Sequence, residues 1–203
     1  MNFFKVTDTN STTDYVMPTP MVSQIPATES QVIQLIGNER MVFAPADGVG
    51  RNVNQVAWTF EWPAVRDSRA RTMKTSEVMS LLLGWYSQGV TLKLSGPAFL
   101  NLNAEPLRRE YSGTYSDKWF YSAMPWWKSG SQTVLLSGAA VGAYTLDEDN
   151  GIVKFAGAQV SGIMTATASR EPEGVLTSFA PNPVMGTDPI EYAPVVTFME
   201  AKP

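Results

Sequence analysis

The strongest constraint on the fold is a hairpin pattern in residues 143–155. Two short runs of strand-forming residues, 143–146 and 152–155, flank an acidic turn that ends in Asn150-Gly151. An Asn-Gly pair favours a tight turn between antiparallel strands, because both residues tolerate positive φ. We therefore expect a chain rich in antiparallel β-structure.

Alternation of apolar and polar residues predicts strands on both sides of this hairpin. Residues 53–62 place most of their large apolar side chains on one side, which is the period of two that a strand requires. Residues 31–36 and 90–94 are two further predicted strands in the first half of the chain, and 163–168 is one in the second. This spacing is typical of a β-sandwich or a small barrel.

One amphipathic helix is predicted over residues 76–88. Apolar side chains recur there at intervals of three and four, which forms one apolar face. Glu77 lies in the first turn, where negative charge suits the helix dipole, and Gly89 follows as a C-terminal stop. We expect this helix to pack across a sheet built from the strands of the first half.

Prolines and glycines divide the chain into four predicted regions. Residues 1–30 are predicted to be an extended N-terminal arm, either loose or lying across a neighbouring subunit, in which Phe3, Phe4 and Val6 favour a short strand. Residues 31–95 form a β core that contains the helix and is completed by a strand at 195–200. Residues 96–170 form an inserted aromatic-rich β domain, and 171–194 a Pro-rich connector. The fold class is mainly β with one principal α-helix: a β-sandwich or split-barrel core with the helix packed on the sheet, plus the inserted small β domain.

The composition excludes most familiar enzyme chemistry. The chain has no cysteine and no histidine, which removes disulfides, thiol nucleophiles, the Ser-His-Asp triad and the commonest zinc ligand. The dense carboxylates Asp147, Glu148 and Asp149 lack the spacing of a calcium loop or of a glycosidase pair. We interpret them as a solvated turn and expect no catalytic site, no metal, no cofactor and no enzyme activity.

The chain has few charged residues, and this observation limits the kinds of partner that it is expected to bind. Charged residues make up 17% of the sequence, below the usual quarter, which indicates either a surface covered by other subunits or a neutral β protein. The net charge is -4 and no run of Lys or Arg is present, so nucleic acid binding is not expected. No stretch approaches the length of apolar residues that a transmembrane helix needs.

Two groups of residues are candidate interface positions. One is an arginine-bearing stretch at 65–71, interpreted as a solvated loop or strand edge, with an inter-subunit ion-pair patch as the alternative. The other is the aromatic segment 111–127, interpreted as core plus interface, with a carbohydrate- or partner-binding platform as the alternative. The candidates are Arg66, Arg69, Arg71, Trp119, Trp126 and Trp127.

Two stretches, taken in order, share a pattern with one known family. The first is the strand at 54–62, the arginine segment, and the helix that ends Trp-Tyr-Ser-Gln-Gly at 85–89. The second is the hairpin at 143–155, similar to a Y-T-x-D-x-x-x-G-x-V-x-F pattern. Both resemble the tail proteins of long-tailed bacteriophages, prophages and gene-transfer agents that are related to the distal tail protein. The strand at 195–200 is like that family's last strand, which ends near a Glu.

The resemblance implies a non-enzymatic structural subunit of a phage tail, made in the bacterial cytoplasm and located in the virion. Its core would form a hexameric ring that joins the tail tube to the tip or hub proteins, with the inserted β domain pointing outward or toward the tip. It implies no sequence-specific nucleic acid and no membrane partner. Two alternatives stay open: another phage structural subunit, such as a tail-tube, head-to-tail connector or decoration protein, or a carbohydrate-binding β module that uses Trp119, Trp126 or Trp127.

Overall fold

The computed structural model describes residues 4–27, 31–34, 40–43, 55–62, 75–111, 113–159, 161–185 and 191–200. In chain order its elements are β1 Phe4–Asp8, β2 Thr13–Met17, β3 Met21–Ala27, β4 Gln31–Gln34, β5 Arg40–Phe43, β6 Gln55–Glu61, α1 Thr75–Gln88, β7 Leu92–Ser95, β8 Leu102–Pro106, β9 Arg108–Arg109, β10 Trp119–Tyr121, β11 Thr133–Leu136, β12 Ala139–Ala140, β13 Thr145–Asp147, β14 Ile152–Lys154, β15 Met164–Ala168, β16 Glu173–Ala180, β17 Pro183–Val184, β18 Glu191–Tyr192 and β19 Val195–Glu200. The prediction of a mainly β chain with one principal helix is confirmed for this part of the chain.

The largest sheet is antiparallel, and its strands lie in the order β2-β1-β7-β16-β19-β6-β3. The strands predicted at 53–62, 90–94 and 195–200 all belong to it, as β6, β7 and β19. The strand predicted at 31–36 does not, because β4 pairs with β5 in a separate two-stranded hairpin. Its last two residues lie outside the described part of the chain.

This large sheet is curled. Its edge strands β2 and β3 are joined only by residues 18–20, a link that spans at most about 14 Å. Seven strands laid flat would separate the same edges by about 29 Å. The Phe4 ring, on β1, lies 5.3 Å from the Phe60 ring, on β6, although three strands separate β1 from β6. The edges of the sheet therefore approach each other around a shared interior.

The N-terminal region departs from the prediction of an extended arm at 1–30. Residues 4–27 form β1, β2 and β3, and Phe4, Val6 and Met17 are buried in the interior of the large sheet. β1 and β2 form a local hairpin, whereas β1 also pairs with β7, and β3 pairs with β6, both of which lie far along the chain. The Thr- and Ser-rich local sequence carries little of that information.

The prediction of a Pro-rich connector at 171–194 is wrong over β16, which lies between β7 and β19 in the middle of the large sheet. Pro172 and Pro181 flank the strand, where their missing N–H groups cost no ladder hydrogen bond. Gly174 permits the close approach of β19, because a Cβ at this position would lie 2.0 Å from the Met199 carbonyl oxygen.

The helix α1 confirms the helix predicted over 76–88. Gly89 has a φ of 61°, and the Val90 N–H donates to the Trp85 carbonyl oxygen at 3.1 Å. This is the Schellman arrangement, in which a glycine in the left-handed region ends a helix. Val78, Leu82 and Trp85 are buried against the large sheet. With the buried residues of that sheet they form one hydrophobic cluster, here called the first core. Tyr86, which the spacing of three and four places on the same apolar face, is 41% exposed.

Residues 102–168 form the second β unit. Two four-stranded sheets, β13-β14-β10-β9 and β12-β11-β15-β8, contribute to one separate hydrophobic cluster, the second core. The predicted hairpin is present as β13 and β14, with Asp147 opposite Ile152. Its turn is a four-residue loop in which Gly151, and not Asn150, has positive φ. The predicted acidic turn that ends in Asn150-Gly151 is thus present, and only Gly151 uses the positive φ that both residues tolerate.

Candidate functional site

The six candidate interface residues do not form one group in the structure. Arg66, Arg69 and Arg71 lie outside the described residues. Trp119 lies on β10, and Trp126 and Trp127 lie in the loop between β10 and β11. The three tryptophans have different surroundings, so each has a different capacity to bind a partner.

The Trp119 ring is engaged within the chain. It stacks on Tyr115 with ring centroids 3.8 Å apart and planes 19° apart. The Lys154 Nζ lies 4.8 Å from the centre of the same ring, within range of a cation–π interaction. Since the ring already contacts two side chains, Trp119 contributes to contacts within the second β unit, but it is half-buried and is not part of the second core.

Trp127 is a core residue. It is 4% exposed and packs in the second core. Its indole Nε1–H donates to the Met124 carbonyl oxygen at 2.8 Å, which satisfies the one polar group of the buried ring. Trp127 also borders the cavity that Trp126 lines, described next, but with 4% of its surface exposed it offers little area to a partner.

Trp126 lines a polar cavity of about 300 Å³, here called the seam cleft. One wall comes from the second β unit and contains Trp126, Lys128 and Asp149. The opposite wall contains Lys93 of β7 and Glu173 of β16, which belong to the large sheet. The seam cleft thus lies where the second β unit meets the sheet.

Ion pairs organise both walls of the seam cleft. The Lys93 Nζ lies 2.7 Å from a Glu173 carboxylate oxygen, and the Lys128 Nζ lies 2.8 Å from one of Glu171. The hydrogen bond to Glu173 raises the pKa of Lys93 despite the effect of partial burial, and Glu171 and Asp149 act in the same direction. Lys93 is therefore charged at neutral pH.

The acidic hairpin turn also contributes to this region. Partial burial acts to raise the pKa of Asp147, but Lys154 at 2.7 Å, together with Asn150, holds that pKa below its usual value. Glu148 accepts a hydrogen bond from the Gln132 amide nitrogen at 2.9 Å. Asp149 lines the seam cleft. The turn is thus more structured than the solvated tip that we expected.

A buried network joins the second β unit to the large sheet beside the cleft. The Arg170 Nη2–H donates to a Glu200 carboxylate oxygen at 2.6 Å, and its Nε–H donates to the Pro125 carbonyl oxygen at 2.7 Å. The other Glu200 oxygen accepts from the Trp58 Nε1–H at 2.7 Å. Both Glu200 oxygens and the Nε and Nη2 atoms of Arg170 therefore have hydrogen-bond partners, which a buried charge pair needs.

Glu105 is a second partly buried carboxyl near this network. Burial raises the pKa of Glu105, opposed by hydrogen bonds from the Ala123 N–H and the Ser122 hydroxyl and by the positive charge of Arg170. The two hydrogen bonds are 3.0 Å and 3.1 Å long. The carboxyl thus binds the Ser122–Ala123 segment to β8.

The sequence analysis missed Arg170 and Glu200, although a signal for both was present. In β15 the buried positions are Met164, Ala166 and Ala168, and Arg170 continues the same parity. Glu200 likewise continues the parity of the buried residues in β19. Strand periodicity therefore indicates two inward-pointing charges, which need each other as partners.

Within the described residues, no group of three or more acidic side chains is arranged to hold a metal ion. In the same part of the chain, no helix has the length and apolar character needed to cross a membrane. Comparison with known protein families, with curated proteins and with solved structures finds no match to this chain.

Proposed function

We propose that this chain is a structural subunit of a bacteriophage tail, a distal tail or baseplate ring protein that joins the tail tube to the tip proteins. The observation that carries the proposal is the path of the chain through the large sheet. The strands β7 and β16 are neighbours in that sheet, yet the whole second β unit lies between them in sequence. The sheet is then completed by β19 from the far end of the described chain.

This path supports the two-part architecture that the resemblance implies. In the proposal, the curled sheet with α1 is a split-barrel core that forms the ring. The second β unit is an inserted domain that points away from the ring. The short link between β2 and β3 supports the split barrel, because it requires the sheet edges to approach each other.

Exposed apolar side chains on the core supply possible subunit contacts. Leu83 and Tyr86 on α1 are 50% and 41% exposed, and Val16 and Met21 on the two edge strands are 44% and 55% exposed. A ring requires two different surfaces on each subunit, since its contacts are head-to-tail and close by rotation. The helix surface and the sheet edges are our candidates for these two surfaces.

The test is light scattering coupled to size-exclusion chromatography of the full chain, over a wide range of concentrations, followed by negative-stain electron microscopy. We expect closed rings with sixfold symmetry. Long stacked tubes would instead favour the alternative of a tail-tube subunit. A single monomeric species with no ring classes at any concentration would contradict the proposal that the chain forms a ring by itself.

A matched pair of variants tests which surface of the subunit forms the ring contact. Leu83→Asp puts a charge on the exposed surface of α1 and is expected to prevent ring formation while the monomer stays folded. Ile163→Asp changes an equally large, 67% exposed residue of the second β unit and is expected to leave the rings intact. The opposite result would move the ring contact from the core to the second β unit.

A further inference from the structure

We propose that the seam cleft is a saccharide-binding site that takes one or two rings of a neutral or N-acetylated sugar. The proposal concerns the cavity lined by Trp126, Lys128, Asp149, Lys93 and Glu173. It does not depend on ring assembly, because every lining residue belongs to one chain. It adds a ligand class to a protein whose proposed role is structural.

The position of Trp126 is the first argument. Its backbone has a φ of 67°, a conformation that is strained for a bulky residue and that occurs mostly where surrounding contacts impose it. The Trp126 N–H donates to the Asp149 carbonyl oxygen at 3.2 Å, and the Trp126 carbonyl oxygen accepts from the Glu171 N–H at 2.9 Å. Both of these partners also line the cleft, so residues of the cleft fix the backbone from which the Trp126 side chain reaches the cavity.

The polar lining is the second argument. Each carboxylate and each ammonium in the cleft has more hydrogen-bonding positions than its ion pair uses, because a carboxylate accepts about four hydrogen bonds and an ammonium donates three. Sugar hydroxyls both donate and accept, so they can bind these groups without breaking the Lys93–Glu173 and Lys128–Glu171 pairs. An indole beside such groups provides an apolar surface for the C–H face of a sugar ring.

The net charge and the volume of the seam cleft limit the class of ligand that it can bind. Three carboxylates, from Asp149, Glu171 and Glu173, face two ammonium groups, from Lys93 and Lys128, which leaves one negative charge in excess. This excess disfavours phosphates and acidic sugars. The volume of about 300 Å³ is at the small end of ligand sites, which suits one or two sugar rings.

The experiment uses the full chain and a panel of mono- to tetrasaccharides built from neutral hexoses and N-acetylated hexosamines. Binding is screened on an immobilised array and then measured by titration in solution. We expect saturable binding to at least one member. Trp126→Ala is expected to weaken that binding at least about tenfold, which corresponds to about 1.4 kcal/mol. No binding by any member of the panel would overturn the proposal.

Two further variants separate binding from folding. Trp119→Ala removes a tryptophan that stacks on Tyr115 and does not line the cleft, so we expect unchanged affinity. Asp149→Asn alters an exposed side chain, so its fold is expected to be intact, and we expect weaker binding. If Trp119→Ala abolishes binding while Trp126→Ala and Asp149→Asn leave it unchanged, the site is elsewhere and the proposal fails.

Discussion

The Arg170 guanidinium has no accessible surface, and its partner Glu200 is 3% exposed. Such a pair adds little to stability compared with well-packed apolar residues, because both ions lose their hydration. The Arg170–Glu200 pair instead helps to determine how the second β unit is oriented on the large sheet. Arg170 contacts Glu200 of the large sheet and the Pro125 and Leu100 carbonyl oxygens at once, so these hydrogen bonds restrict how the second β unit is placed against the sheet.

Removing one partner of this pair is therefore expected to destabilise the folded chain strongly. Arg170→Met leaves the Glu200 carboxylate buried without its counter-charge, which should cost about 3–5 kcal/mol in the free energy of unfolding. The control is Lys5→Met, which breaks the exposed Lys5–Asp14 pair and should cost less than about 1 kcal/mol. Urea unfolding measures both. Equal losses in the two variants would contradict the role assigned to Arg170.

Glu105 gives a pH-dependent prediction at the same scale. Its raised pKa means that the folded chain binds the carboxyl proton more tightly than the unfolded chain does. The stabilisation from this group is complete below its unfolded pKa and is lost as the pH rises through the folded pKa. Glu105→Gln cannot ionise and keeps an oxygen that accepts from the Ser122 and Ala123 donors.

We therefore expect Glu105→Gln to be more stable than the original chain at neutral pH, and this difference to shrink toward pH values below about 4. Thermal unfolding across that range measures the difference. Asp147→Asn is the opposite case, because the pKa of Asp147 is lowered and its contribution is present at neutral pH and lost in acid. A Glu105→Gln variant that is less stable at neutral pH would show that its hydrogen bonds outweigh its burial.

At the scale of elements, one glycine inside α1 and one directly after it have different backbone conformations. Gly84 is helical, Gly89 has a φ of 61°, and a Cβ at either position would meet no atom within 4 Å. The two positions therefore offer the same free space to an alanine side chain, and they differ only in backbone conformation. Gly84→Ala should stabilise the protein by about 0.5–1 kcal/mol, because alanine restricts the unfolded chain and favours the helix.

Gly89→Ala, in contrast, should destabilise the protein. An alanine in the left-handed region costs about 1–2 kcal/mol, and the cap at the end of α1 depends on that conformation. Chemical denaturation of the two single variants checks the pair. Changes of the same sign in both variants would contradict the assigned helix end.

At the scale of the whole molecule, the strand nearest the end of the described chain is central to the fold. β19 lies between β16 and β6, and its residues Val196 and Phe198 have no accessible surface. A chain that stops after Pro194 loses these contacts and the partner of Arg170. We expect it to show no cooperative unfolding transition by circular dichroism. A chain that stops after Glu200 keeps every strand and is expected to unfold cooperatively; cooperative unfolding of the shorter chain would contradict the central role of β19.

The sequence by itself determined the elements with strong local periodicity. The alternation in β6, the apolar face and stop glycine of α1, and the strands of the hairpin were all predictable, because each depends on neighbours in sequence. Only the tertiary structure decided that β3 and β16 are strands, because β3 pairs with the distant β6, β16 lies between β7 and β19, and the local composition of both resembles a loop. The same reason applies to the site. Trp126, Lys93 and Glu173 meet in the seam cleft, and Arg170 meets Glu200, only once the large sheet has curled and the second β unit has packed against it.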